Sequence, residues 1–119
     1  MLEVILKRFA TPDETRELVK GRFDVVHAGG LTIGRATYEP GWMWSLHVGP
    51  AVGRALCDVA HVGLVLAGRA AVASADGQVT EIAAADIFVV RGEHDSWVIG
   101  DTPYVSLHFE GADAYARPA

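Results

Sequence analysis

The amino-acid sequence predicts an all-β fold, a sandwich or jelly-roll barrel, with one short helix near the N-terminus. Two observations lead to this prediction. Short β-capable runs follow one another along most of the chain, and Gly, Asp or Pro separates them at intervals of about 8–12 residues. The chain has 119 residues, half of them hydrophobic. This length and composition predict one domain, residues 1–119, with a single core.

The helical signal lies before the first strand. Thr11 places a capping hydroxyl ahead of Pro12 at the first helical position, and Glu14, three residues after Thr11, completes a capping box. Gly21 ends the predicted helix after roughly two turns.

The strands begin at Phe23. Gly29-Gly30, Gly68, Asp76-Gly77 and Gly100-Asp101 supply the positive-φ positions that tight hairpins need, so antiparallel neighbours are predicted. The predicted strands are Phe23–His27, Leu31–Tyr38, Trp42–Val48, Arg54–Cys57, His61–Leu66, Ala70–Ser74, Gln78–Ile82, Ile87–Val90, Ser96–Ile99 and Tyr104–Phe109.

The charge and hydropathy of the chain exclude several classes of function. The formal net charge is -5 and the basic residues are scattered, so the surface repels nucleic acid. Polar residues interrupt every apolar run before it reaches the length of a membrane span, and the N-terminus lacks the cleavage site of a secretory signal. We therefore expect a soluble, cytoplasmic protein that binds neither nucleic acid nor membrane.

Cys57 is the single cysteine of the chain, which excludes an internal disulfide. Three interpretations remain open: a small buried hydrophobe, a metal ligand or a nucleophile. A nucleophile needs a base that a third group orients, and the sequence identifies no such group.

The neighbours of Cys57 favour a metal site. Cys57 and His61 would lie about 13 Å apart in one straight strand, so they can share an ion only if residues 58–60 turn the chain. In that case Cys57 ends one strand and His61 opens its antiparallel partner. His94, in a loop before a later strand, supplies a third donor. One thiolate and two imidazoles suit Zn²⁺ and leave a coordination position open.

These residues resemble the motifs of the cupin superfamily. The first cupin motif runs Gly, five residues, His-any-His, three or four residues, Glu, six residues, Gly. Gly68 follows His61 by six intervening residues, which aligns His61 with the Glu, Cys57 with the second His and Ala55 with the first. His94 aligns with the His of the second motif, two residues earlier than the general spacing.

The chain is more similar still to small single-domain cupins of the cupin 2 type, here with a Cys-x3-His variant of the first motif. That resemblance extends over nearly the whole chain. It is carried by Pro40-Gly41-Trp42-Met43-Trp44-Ser45, Cys57, His61, Gly68, Asp76-Gly77 and His94-Asp95-Ser96-Trp97-Val98-Ile99-Gly100-Asp101.

The resemblance implies a cupin jelly-roll β-barrel that binds a divalent metal and a small molecule inside the barrel. Zn²⁺ held by Cys57, His61 and His94 is the leading prediction, and Fe or Ni are the other candidate metals. Two alternatives stay open. One is a metal-dependent hydrolase, isomerase or dioxygenase on the same site, with no catalytic residue identified. The other is a metal-free dimerisation or sensor module, in which an N-terminal strand, Leu2–Leu6, adds to a second copy.

Four residues are predicted to form the wall of the ligand pocket, because barrel mouths favour aromatic walls with a few polar anchors. They are Tyr38, Trp44, His47 and Trp97. The other two histidines, His27 and His108, lie in predicted strands without a cooperating ligand pattern, and we interpret them as structural. A homodimer is the expected assembly.

Overall fold

The computed structural model describes residues 1–117 and shows an all-β fold in that range, as predicted. The predicted domain, residues 1–119, extends two residues beyond the described part, and its bounds stay a prediction. The strands are β1 Glu14–Leu18, β2 Gly21–Ala28, β3 Leu31–Tyr38, β4 His61–Ala67, β5 Arg69–Ser74, β6 Val79–Ala83, β7 Ile87–Val90, β8 His94–Ile99 and β9 Tyr104–Glu110. Two short helices, α1 Trp44–His47 and α2 Gly49–Val52, lie between β3 and β4.

The strands form two antiparallel sheets that enclose one core. The large sheet has the order β1-β2-β3-β9-β4-β7, and the small sheet has the order β6-β5-β8. Inward side chains of both sheets meet, for example Phe23 and Val65 from the large sheet with Ala70 and Val98 from the small one. The two inner faces therefore form a sandwich whose interior can hold a site.

The predicted N-terminal helix is wrong, because its residues form an edge strand. β1 pairs with β2 from Glu14↔Val25 to Leu18↔Gly21, and Lys20 takes a positive φ of 61° in the two-residue hairpin loop. The Asp13 carboxylate accepts a hydrogen bond from the backbone N–H of His27 at 2.7 Å, so it serves the sheet and caps no helix. Pairing with β2 outweighs the local capping signal.

Two of the predicted strands are also wrong. Trp42–Val48 is replaced largely by α1, and Arg54–Cys57 pairs only through an isolated bridge at Cys57. The Asp95 carboxylate, from β8, accepts hydrogen bonds from the backbone N–H and the hydroxyl of Ser45 at 3.0 and 2.7 Å. This acceptor from a distant strand satisfies the first turn of α1. No helix within residues 1–117 is long and apolar enough to cross a membrane.

The first eight residues form an arm without strand structure. The predicted strand Leu2–Leu6 is therefore wrong for a single copy of the chain, and its apolar side chains are exposed. Lys7 ties the base of the arm to Asp13 through an ion pair of 2.7 Å. The predicted homodimer would bury these apolar side chains, and that assembly stays a prediction.

A buried arginine fastens the C-terminal segment to the large sheet. The Arg16 guanidinium donates hydrogen bonds to the backbone carbonyls of Ala112, Asp113 and Tyr115, the first of them at 2.8 Å. It also pairs with the Glu14 carboxylate at 2.9 Å, and this bond lowers the pKa of that carboxyl. The side chain of Tyr115 is thereby held in the core.

We predict that Arg16→Met lowers the free energy of unfolding by about 2–3 kcal/mol, because it leaves several backbone carbonyls of the C-terminal segment without their charged donor. Urea denaturation checks this value. The control is Arg69→Met, which removes an ion pair with Glu81 that is half-exposed on both sides and should cost less than about 1 kcal/mol. Equal losses in the two variants would contradict the role of Arg16.

Candidate metal centre and cavity

An isolated antiparallel bridge places Cys57 opposite the first residue of β8. The backbone N–H of Cys57 donates to the carbonyl of His94 at 2.9 Å, and the N–H of His94 donates back to Cys57 at 3.0 Å. Directly opposed residues of an antiparallel pair point to the same face. The thiol and the imidazole consequently share one side of the small sheet.

His61 brings a second imidazole from the other sheet. Residues 58–60 cross from the small sheet to the large one, where His61 opens β4 and pairs with Val90 of β7. The predicted turn is present, but the predicted partner strand is wrong, because Cys57 pairs with β8 and not with β4. Sγ of Cys57 lies 3.6 Å from Nε2 of His61. The three donor atoms of Cys57, His61 and His94 all lie within 4.8 Å of one another, and all three residues are buried.

Burial keeps the thiol and the His61 imidazole uncharged. It raises the pKa of Cys57 to about 11. Burial, together with the neighbouring imidazoles of His108 and His94, lowers the pKa of His61 to about 3. Nδ1 of His94 lies 2.9 Å from the Gly92 carbonyl, a bond in which the ring must donate. In the neutral ring the lone pair then lies on Nε2, which is the nitrogen that can bind a ligand.

The distance between the Cys57 sulfur and the His61 nitrogen fits a tetrahedral ion. Zn–S and Zn–N bonds of about 2.3 and 2.05 Å, at the tetrahedral angle, put sulfur and nitrogen about 3.6 Å apart. The observed distance between Sγ of Cys57 and Nε2 of His61 is also 3.6 Å. The 90° angle of an octahedral ion would bring the same atoms to about 3.1 Å with these bond lengths.

Two members of the cluster, His61 and His94, line an aromatic cavity of about 50 Å³ between the two sheets. Its walls include three imidazoles, those of His61, His94 and His108. The aromatic part of the wall consists of Tyr38, Trp42, Trp44, Phe88, Tyr104 and Tyr115. A wider outer cleft of about 440 Å³ lies beside it and shares five of its lining residues, Val72, Ile82, Phe88, Val90 and His94.

Two of the four residues predicted for the pocket wall line this cavity, namely Tyr38 and Trp44. His47 and Trp97 lie outside it. His47 sits in α1, where its Nδ1 accepts a hydrogen bond from the backbone N–H of Met43 at 2.9 Å. Along β8, the side chains of His94 and Val98 are buried, whereas that of Trp97 is partly exposed. Strand alternation thus turns Trp97 to the opposite face.

The sequence interpretation missed three residues of the wall, His108, Tyr104 and Tyr115. Nε2 of His108 lies 3.0 Å from the Ser106 hydroxyl, and its ring lies edge to face with His61 at 5.2 Å between centroids. Burial lowers the pKa of His108 to about 4. The alternation of buried residues along β9 was the available signal for Tyr104 and His108. Strand alternation gives no signal for Tyr115, because it follows the last strand; its aromatic side chain in the C-terminal tail is the feature that predicts a segment folded back onto the core.

The fold of the chain is shared with solved structures. No protein-family model matches the sequence, and no curated protein matches it. A protein of unknown function from Rhizobium leguminosarum is 20% identical, with a TM-score of 0.62 over 90% of this chain and 95% of that one. A domain of unknown function from Vibrio parahaemolyticus is 13% identical, with a TM-score of 0.55 over 76% and 87% of the two chains.

Oxalate decarboxylase from Bacillus subtilis also matches. One variant of that enzyme is 22% identical, with a TM-score of 0.60 over 87% of this chain and 29% of that chain. Another of its structures, described by its Mn(II) centres, has a TM-score of 0.59. This chain therefore spans less than a third of the decarboxylase. That enzyme is a cupin, and the likeness shows that the chain has the cupin jelly-roll fold that its motifs resemble.

Burial of Cys57 leads to a prediction about its reactivity. In folded protein without added metal, the thiol should react with iodoacetamide at least about tenfold more slowly than in urea, because the reagent must wait for the structure to open. Mass spectrometry of timed samples measures the rate. The matched control is Cys57→Ala combined with Ser74→Cys, which puts the thiol at an exposed position of β5. Fast labelling of native Cys57 would contradict the buried position.

Proposed function

We propose that the protein is a small single-domain cupin that binds Zn²⁺ through Cys57, His61 and His94 and holds a small molecule beside the ion. The observation that carries the proposal is the meeting of three buried donor atoms within 4.8 Å, with the sulfur and one nitrogen at tetrahedral spacing. The ligand pair Cys57 and His61 is then a Cys-x3-His variant of the first cupin motif.

The choice of ion follows from the donors. Thiolate and imidazole are ligands that Zn²⁺ prefers, whereas Mn²⁺ prefers oxygen. The Mn(II) centres named for oxalate decarboxylase support a divalent metal in a protein of this fold, and the thiol here favours Zn²⁺ over Mn²⁺. Fe or Ni are weaker alternatives, because non-haem iron oxygenases use a carboxylate ligand and the described cavity lining contains none.

A bound ion would change the charge of the site. Burial alone raises the pKa of the Cys57 thiol, whereas a bound ion would stabilise its thiolate form. The divalent ion with one thiolate and two neutral imidazoles would carry a net charge of about +1. Three protein ligands leave the fourth tetrahedral position for water or for an atom of the small molecule. The aromatic walls exclude bulk water from that position.

We predict that the purified protein, stripped with chelator, binds one equivalent of Zn²⁺, and that Co²⁺ in its place gives the near-ultraviolet absorption of a thiolate–cobalt bond. Cys57→Ser should remove this absorption, because it removes the sulfur. His61→Gln and His94→Gln should each weaken metal binding by roughly tenfold or more. Absorption titration with Co²⁺, followed by competition with Zn²⁺, measures all of these.

His27→Gln and His47→Gln are the matched controls, because both histidines lie outside the cluster. Both should bind Co²⁺ like the unaltered protein. Circular dichroism of every variant separates loss of a ligand from loss of the fold. The proposal fails if the folded protein takes up no Co²⁺ or Zn²⁺, or if Cys57→Ser leaves the thiolate–cobalt absorption unchanged.

A further inference from the structure

The cavity wall contains buried hydrogen-bond donors without acceptors. Nε1 of Trp42 and Nε1 of Trp44 are buried, and neither has a hydrogen-bond partner among the described residues. Indole N–H only donates, so each group needs an acceptor that residues 1–117 do not supply. Both residues are at least nine-tenths buried and both line the cavity. An unmet buried donor is costly, which makes an acceptor atom at this place favourable.

A pair of phenols adds a further donor. The hydroxyls of Tyr38 and Tyr115 lie 2.6 Å apart, so one donates to the other and the second retains a free O–H. Burial raises the pKa of both phenols, so both keep their protons. Tyr38 also stacks on Trp42, with ring centroids 3.7 Å apart. The donors therefore sit on a rigid, flat aromatic surface.

The charge of the wall restricts the occupant. The described lining of the cavity contains no Lys, Arg, Asp or Glu. A cation would be disfavoured, because it would face hydrogen-bond donors and a metal ion that is also positively charged. A dianion would lack a second positive group to balance it, since the metal and its thiolate together supply only about one positive charge. An uncharged or singly negative molecule fits the wall on both counts.

The volume of the cavity restricts the occupant as well. A space of about 50 Å³ has room for roughly four non-hydrogen atoms. The outer cleft, which is lined by residues of β6 and β7, borders the cavity and shares Ile82, Val90 and His94 with it. A larger molecule could therefore leave its remaining atoms in the cleft, beside Thr80 and Arg91.

We infer that the cavity binds a compact carbonyl or carboxylate group, uncharged or singly negative, and that the indole N–H groups of Trp42 and Trp44 hold its oxygen. This inference rests on the proposed function, because it names the class of small molecule that the same cavity takes.

Three probes of nearly equal shape test the inference: acetamide, acetate and acetamidinium. Acetamide and acetate offer oxygen acceptors, whereas acetamidinium is a cation that only donates. The indole Nε1–H signals of the full chain are followed by ¹⁵N NMR as each probe is added, both after chelator treatment and after loading with Zn²⁺. Dissociation constants on the order of millimolar are expected for probes of this size.

Acetamide should shift the signals of Trp42 and Trp44 in both preparations. Acetate should shift them only after loading with Zn²⁺, because the cavity lining itself carries no positive charge to balance an anion. Acetamidinium should shift neither signal. Trp97 is the internal control, because it lies on the opposite face of β8. Trp44→Phe should weaken acetamide binding about tenfold, the effect of one lost hydrogen bond to a buried group, whereas Trp97→Phe should leave it unchanged.

The outcomes separate this inference from the metal proposal. Equal shifts with acetamidinium, or no shift with any probe in a protein that still binds Zn²⁺, would overturn the inferred ligand class and leave the metal site standing. Shifts in a protein that binds no Zn²⁺ would support the ligand class and reject the metal. Tight binding of oxalate, a dianion, in the chelator-treated protein would overturn the argument from charge.

Discussion

The antiparallel bridge between Cys57 and His94 is the constraint on which the rest of the site depends. Its two backbone hydrogen bonds fix a loop residue against the start of β8 and so turn a thiol and an imidazole to one side of the small sheet. Four residues later the chain enters the large sheet at His61, which pairs with Val90 of β7. Because only residues 58–60 connect the two sheets here, the Cys57 sulfur and the His61 imidazole cannot move far apart unless backbone hydrogen bonds of one sheet break. The spacing of the donor atoms is thus set by the backbone of both sheets.

Buried polar atoms around this bridge lower the stability of the folded protein. The Nδ1 atoms of His61 and His108 are buried and have no hydrogen-bond partner in the described part of the chain, and each unmet group costs on the order of 1–3 kcal/mol. An aliphatic core would avoid that cost. Small residues also make the aromatic packing possible: a Cβ at Gly63 would lie 2.5 Å from the Phe88 ring and closer still to a backbone oxygen of β9. A polar, aromatic interior fits an occupied cavity better than a core selected for stability alone.

Local patterns in the sequence were enough for most of the sheet and for the three donors. The turn signals predicted most of the strands from β2 to β9, and the family resemblance singled out Cys57, His61 and His94. Of the predicted hairpins, those at Gly29-Gly30 and Asp76-Gly77 join paired strands. The hairpins predicted at Gly68 and Gly100-Asp101 are wrong, because each of these turns joins strands of different sheets. The predictions that were wrong concern segments whose structure depends on contacts between residues distant in the chain. The capping box before Gly21 is a real local signal, yet pairing with β2 overrides it, and α1 exists through an acceptor on β8 that lies fifty positions away. Tyr115 enters the cavity because Arg16 holds the backbone after β9, a contact that no local pattern encodes.

The position of β9 in the large sheet has a consequence for how the chain reaches this state. β9 pairs with β3 on one side and β4 on the other, although it follows both in the chain, and within residues 1–117 it alone joins the β1–β3 meander to the β4–β7 pair. Closing such long loops costs chain entropy, which slows this step of folding. The two sheets therefore come together late. Until then the sulfur of Cys57 is open to solvent, and the interval before β9 docks is the period in which oxidants can damage it.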